Sequence, residues 1–406
     1  MTRKMTQKMN LKQLIIKAIN FGAGDNNRAA TPKTPKTPKV PARTERQAKP
    51  KSWIKQDDYE DIKELVHGSE AMTSLTKSTT TGRVYVVKRY SSYDFAANNP
   101  VIQQCKKPLP NEATIVLKVL RPHPNILRAF GCDRMGPGRC NLYTEFCAGG
   151  DLMDKIVEFR NHKRTAPEPL CLHVFISLAQ ALAYLHHGLH WDPQAKRYWQ
   201  EPGFAGYIHG DIKPANTFLR WSSEAERIGL PDVVLGDFGM TAPKNHFHLV
   251  AGTDGYCAPE IRDIWDLQPD GFRAFVSYAG ETGHMTTATD VYSLGQTIHR
   301  LGTNRLHVTG ADPDTEPVES TDEGMVGVRL GREPLWYKSD ALTNAVQWCL
   351  SVSADDRPEV TEEELLVDVA ILRRELKKLL ARKQPTSQQS TGKQLATKQS
   401  ARRGLV

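Results

Sequence analysis

Residues 83–88, Arg-Val-Tyr-Val-Val-Lys, are a run of β-branched and aromatic positions that predicts a strand. Val174, Phe175, Leu178, Leu182 and Leu185 recur at helical spacing, as do Leu365, Val369, Leu372 and Leu376, and each set predicts a long helix. Ile115, Val116 and Val119 follow Glu112 with the same spacing, which predicts a helix ahead of Pro122. Strand patterns come first along the chain and helical ones afterwards. That order predicts an α+β fold in two lobes, a small sheet-rich one over about 53–146 and a larger helical one over about 147–381.

Outside 53–381 the pattern changes. Leu11, Leu14, Ile15, Ala18 and Ile19 share one face of a short helix, and no acid precedes Asp25. A transit segment, a membrane-surface helix and a helix docked on the body all fit that pattern. Thr31 to Lys39 repeats Thr-Pro-Lys, and proline at every third position favours an extended spacer carrying Thr-Pro sites. Residues 382–406 are rich in Gln, Ser, Thr, Lys and Arg with no core pattern, so the sequence predicts a disordered tail there.

Composition refines this picture at three points. No run is read as approaching the roughly 18 apolar residues of a membrane-spanning helix, so no transmembrane segment is expected. The seven cysteines are scattered without a C-x-x-C, which points to a reducing, intracellular compartment rather than a disulfide framework or a zinc site. The whole-chain charge of +8 conceals an asymmetry: residues 1–52 carry 13 Lys and Arg against two acids, and 382–406 six against none, leaving 53–381 at −9. Basic arms on an acidic body suit contact with nucleic acid or anionic membranes, or simple solvation.

The sharpest chemical signal is Ile208-His209-Gly210-Asp211-Ile212-Lys213-Pro214-Ala215-Asn216, followed by Asp237-Phe238-Gly239 and then Gly252-Thr253-Asp254-Gly255-Tyr256-Cys257-Ala258-Pro259-Glu260. In this order and spacing the chain resembles the eukaryotic serine/threonine protein kinase family, from about residue 53 to 381. The resemblance implies transfer of the ATP γ-phosphate to Ser or Thr of a protein substrate, with Mg2+. It makes Asp211 the catalytic-loop carboxylate and Lys213 the lysine aimed at the transferred phosphate. Asn216 and Asp237 become the magnesium ligands, hard oxygens suited to a small divalent cation. Lys88 becomes the lysine on the inner phosphates and Glu112 its carboxylate partner. For ATP it further implies Val66, Gly68, Val86 and Phe218 around the nucleotide, Thr144 as gatekeeper, Glu145 and Cys147 as backbone contacts, and Asp151 near the ribose. Asp290-Val291-Tyr292-Ser293-Leu294-Gly295 resembles the helix that anchors the catalytic loop, and Arg357 is expected to pair with Glu260.

The sequence departs from the family pattern at two points, of which the first weighs against full activity. The family's glycine-rich phosphate loop aligns with Val66-His67-Gly68-Ser69-Glu70-Ala71, where only Gly68 remains and Glu70 adds a charge of the wrong sign. Gly210 replaces the arginine that in this family receives a phosphate on the activation segment, and within 240–251 only Thr241 could accept one. The expectation is a kinase that is constitutively competent or controlled elsewhere; the alternative is a pseudokinase scaffold. Two stretches, 188–206 and 261–289, read as insertions, either partner sites or inert surface loops.

Residues 390–403 are similar to the amino-terminal tail of histone H-three, most closely over Lys393-Gln394-Leu395-Ala396-Thr397-Lys398. That resemblance implies a mimic displayed to histone-modifying or histone-reading proteins, or an internal substrate at Ser390, Thr391, Thr397 or Ser400. With the basic arms it favours the nucleus, the cytoplasm being the alternative.

Overall fold

The computed structural model describes residues 59–67, 71–91, 109–136, 139–244, 252–266, 285–307, 319–320, 325–328 and 339–383. The 11–21 pattern, the Thr-Pro-Lys repeat, Gly68 to Glu70 and the histone-like segment lie outside these residues.

The small lobe is one antiparallel sheet of β1 (Tyr59–His67), β2 (Ala71–Ser78), β3 (Val84–Tyr90), β4 (Ala129–Gly136) and β5 (Arg139–Glu145), in the order β1-β2-β3-β5-β4. Alternation along β3 sends Val87, fully buried, to one face and leaves Val86 and Lys88 on the other. The register sets Val86 opposite Thr144 and Lys88 opposite Leu142. Glu112 lies on α1, which is a single turn, Asn111–Thr114, continuing into a π-helical turn, Ile115–Val119. The regular helix expected there is not maintained, because the chain closes through an i→i+5 bond, Leu120 N to Ile115 O at 2.9 Å.

The larger lobe is helical. Its principal members are α2 (Leu152–Asn161), α3 (Glu168–His187), α4 (Ser223–Ile228), α5 (Pro259–Asp266), α6 (Thr287–Thr303), α7 (Asp340–Cys349) and α8 (Leu365–Lys383). Both long helices expected from periodicity are present, and Val174, Phe175, Leu182, Leu185, Leu365, Val369 and Leu372 are buried in one core with α6 and α7. The helical pattern runs on to Lys383, two residues beyond the expected boundary. The expectation that no run is apolar enough to span a membrane needs correcting. By length and composition α3 passes that test, and 89% of its apolar window is buried. Burial on all sides accounts for a helix that is apolar all round.

Two features brace this lobe. Arg357 donates to Glu260 at 2.6 and 2.8 Å and to the carbonyls of Ala288, Ser351 and Val352, with its charge over the Tyr292 ring. The 188–206 insertion forms a hairpin, β6 (Leu189–Asp192) with β7 (Arg197–Gln200), that packs back on the lobe. Arg373 of α8 lies 3.9 Å over Trp191 and donates to Tyr198 Oη at 3.0 Å, while Glu201 pairs with Arg121 at 2.5 Å.

Four histidines are held neutral by the packing. Burial, aided by a neighbouring His, Lys or Arg, lowers His123 and His299 to about 3 and His187 and His307 to about 4. An unfolded chain takes up protons at these positions from about pH 6.5 downward, whereas the folded one does so only near pH 3–4. The unfolded state therefore binds more protons in that window, and stability falls as pH is lowered through it. Urea midpoints at pH 7 and pH 5 test this, with the lower midpoint expected at pH 5.

Candidate active site

The site lies where β3 and α1 meet the loop after β8 (Tyr207–Ile208) and the turn after β10 (Asp232–Leu235), which pairs with β9 (Thr217–Arg220). Lys88 Nζ is 2.9 Å from Glu112 Oε2 and 2.8 Å from Asp237 Oδ1, so one cation joins two carboxylates from distant parts of the chain. Glu112 is only 3% exposed, and the Tyr90 hydroxyl donates to the same Oε2. Tyr90 stands two residues beyond Lys88 on β3 and thus on the same face, a signal that strand alternation carried and that was not used.

Burial alone would push the Asp237 carboxyl up. The Lys88 ammonium, by charge and hydrogen bond, more than reverses this and holds it below its ordinary value. Burial likewise opposes charge on Lys88, but Glu112 and Asp237 outweigh it and the ammonium is raised above its usual range. Asp237 itself has φ +63°, in the left-handed region that non-glycine residues rarely occupy.

Asp211 is held by its neighbours. Thr253 Oγ1 donates to its Oδ1 at 2.6 Å, Asn216 Nδ2 donates to its Oδ2 at 3.0 Å, and Lys213 Nζ is 2.9 Å from Oδ2. Lys213 also donates to Thr253 Oγ1 at 2.7 Å. A carboxylate offers about four acceptor positions. Among the described residues three are filled, which leaves the fourth, on Oδ1, for an incoming hydroxyl.

The loop under these residues hangs on one carboxylate of α6. Asp290, 1% exposed, accepts from His209 N at 2.7 Å, Gly210 N at 2.9 Å and His186 Nε2 at 2.9 Å. His209 in turn contacts Gly236 O at 3.0 Å and sets its ring against Phe238, with centroids 5.0 Å apart. Gly210 has φ +85°, and a Cβ there would lie 3.0 Å from Met240 O and 3.1 Å from Met285 Cε. Glycine suits that backbone, whereas an arginine would be strained.

Of the expected nucleotide contacts, Thr144 is buried opposite Val86, and Phe218 on β9 pairs with Val234 and bridges to Asp151. Val66 falls on β1 opposite Thr73, and Gly68 is outside the described residues. Glu145 N is engaged by Arg128 O at 2.9 Å, and Cys147 O accepts from Gly150 N at 3.1 Å. Asp151 caps α2 by accepting from Asp154 N at 2.8 Å, so its carboxylate serves the helix as well as any ribose. Sequence reasoning missed Arg220, which bridges Glu145 at 2.9 Å and Asp232 at 3.3 Å, and Asn111, which bonds the carbonyls of Gly239 and Thr241. Neither carried a positional signal.

The donor set suits magnesium. Asp237 keeps one carboxylate oxygen beyond the Lys88 bond, and Asn216, whose amide nitrogen is turned to Asp211, presents its amide oxygen. A small hard cation takes one or two such protein oxygens and completes its shell with phosphate and water. No cluster of three acidic, His or Cys ligands occurs among the described residues, and none is required for that mode.

Replacing Lys88 removes the charge while leaving much of the burial. In Lys88→Met the Asp237 carboxyl should therefore titrate at higher pH than in the wild type. Carboxyl-detected NMR titration of both proteins checks this, and an unchanged value would contradict the electrostatic account.

The chain matches the protein kinase domain family model over residues 59–366. It is 26% identical over 317 residues to the probable serine/threonine-protein kinase nek2 of Dictyostelium discoideum, covering 75% of this chain and 61% of that protein. It is 26% identical over 334 residues to the G2-specific protein kinase nim-1 of Neurospora crassa, covering 79% of this chain and 34% of that protein. With the serine/threonine-protein kinase Nek2 of Homo sapiens the identity is 28% over 229 residues, 52% of this chain and 44% of that protein. The chain thus spans less than two thirds of the length of these relatives. The family match covers most of the chain, the site's geometry and the two-lobed fold agree with it, and the chain belongs to the protein kinase domain family.

Proposed function

We propose that this chain is an active serine/threonine protein kinase of the NIMA/Nek type. The observation that carries the reading is that Lys88, Glu112 and Asp237 form one set of polar contacts and Asp211, Asn216 and Lys213 a second, with the residue before Asp237 tied to Asn216 by Gly236 N donating to Asn216 O at 2.9 Å. Bound Mg2+ and ATP supply the phosphoryl group and the cation that neutralises its oxygens. Asp237 and Asn216 would hold the metal, and Lys88, fixed by Glu112, would hold the inner phosphates. Asp211 orients the substrate hydroxyl on its remaining acceptor position and takes its proton. The hydroxyl oxygen bonds to the γ-phosphorus as the bond to the departing ADP oxygen breaks. Lys213, with a cationic head already beside Asp211, steadies the transferred phosphate. The Lys213–Thr253 contact and the likeness to serine/threonine kinases both favour an alcohol acceptor over a phenol.

The finer reading is a chromatin setting, with a nuclear location. It is supported by the six-residue match of Lys393 to Lys398 to the histone H-three tail and by the basic arms. In it, 382–406 engages a histone-reading or histone-modifying protein, and the arms add contact with nucleic acid.

Asp211→Asn keeps the shape and removes the proton acceptor. Turnover of ATP with a protein substrate should fall about a hundredfold or more, with nucleotide binding retained. A wild-type protein with no magnesium-dependent turnover would instead be a scaffold. For the tail, a peptide of residues 381–406 should compete with a histone H-three peptide for a purified reader domain or be phosphorylated by the full chain. Failure in both assays removes the chromatin reading and leaves the kinase reading intact.

A further inference from the structure

In many members of this family a phosphate on the activation segment, received by an arginine before the catalytic aspartate, orders the metal-binding loop. This chain has neither part in usable form. Position 210 is a glycine at φ +85°. Thr241, the one hydroxyl side chain within 240–251, is 1% exposed and donates to His209 O at 3.2 Å. A modifying enzyme would have to extract it from the core.

Asn111 joins the same loop to α1. Its side-chain Nδ2 donates to Gly239 O at 2.8 Å and to Thr241 O at 2.9 Å, using both hydrogens of one amide. Asn111 immediately precedes Glu112, so this bond and the Lys88 bridge close a ring. Lys88 binds Glu112 and Asp237, while Asn111 binds the carbonyls two and four residues beyond Asp237. Among the described residues, Pro110 at the N-cap of α1 makes no side-chain cap bond.

We infer that Asn111 is a positioning residue that holds the metal-binding loop against the helix carrying Glu112, doing for this kinase what an activation-segment phosphate does elsewhere. The inference rests on the kinase reading and specifies how that site is kept competent. Neither a carboxylate nor an aliphatic side chain can replace the amide, because both carbonyls require a donor.

The test uses the full chain, with Asn111→Asp as the near-isosteric variant and Asn111→Ala as a second should the first not fold. Hydrogen exchange of the nucleotide-free proteins is measured first. Amide exchange across 237–241 should rise about tenfold or more in either variant, with α6 unchanged, as expected for loss of two hydrogen bonds. Steady-state kinetics follow on phosphatase-treated proteins. Wild type should keep its rate. The variants should lose kcat about tenfold and need more Mg2+ for half-maximal rate, with KM for the protein substrate little changed. Unchanged exchange or unchanged magnesium dependence would overturn the inference while leaving the kinase reading standing. So would loss of wild-type activity on phosphatase treatment. A wild-type protein with no turnover at all would sink the kinase reading instead, and the exchange result would still decide whether Asn111 holds the loop.

Discussion

A lysine ammonium between two carboxylates is the constraint on which this site is built. Lys88 bridges Glu112 and Asp237, and its ammonium holds the Asp237 carboxyl below its ordinary value. Each charge-assisted bond is worth about 1.5–3 kcal/mol, but only while all three partners remain paired. Removing Lys88 leaves the Glu112 side chain, 3% exposed, without its ion-pair partner, which costs more than the bond contributed. The bridge also ties β3 and α1 of the small lobe to the Asp237 turn of the large one, so the charge balance and the closeness of the lobes are the same interaction.

The rest of the site is arranged so that this bridge has a fixed counterpart. Asp290 of α6 is nearly inaccessible to solvent and accepts from two successive backbone amides and one histidine. It positions the catalytic loop from the core rather than from the surface. Asp211, at the end of that loop, has three of its acceptor positions occupied by Thr253, Asn216 and Lys213. A carboxylate so constrained presents one direction to a hydroxyl, which is the preorganisation that phosphoryl transfer asks of a protein.

Gly210 shows how a departure from the family pattern follows from packing. Its backbone occupies the positive-φ region, and the Met240 carbonyl and Met285 methyl leave little room for a Cβ. Thr241, one residue beyond Met240, is buried with its hydroxyl engaged. The two departures occur at one place and are mutually consistent: neither the acceptor of an ordering phosphate nor its receptor is retained. The 188–206 insertion follows similar logic. It read as a partner site or a loop of no consequence, yet Arg373 and Arg121 fasten its hairpin to α8 and to the segment after α1.

Much of this was legible in the chain before any fold was known. Apolar positions at helical spacing set α3 and α8, because a helix must bury its apolar stripe, and the ordered motifs named Lys88, Asp211, Asn216 and Asp237 because that chemistry tolerates few side chains. Glu112 was found by its place in the order. The π-helical turn after it was not, since Ile115, Val116 and Val119 suit an ordinary helix equally well. The anchoring roles of Asn111 and of Arg220 toward Glu145 were also hidden. These partners lie 128 and 130, and 75, residues away along the chain, and no local pattern encodes a hydrogen bond across that separation. Periodicity and side-chain chemistry act locally and can be read directly. Which carbonyl meets which amide is decided only when the two lobes close on each other.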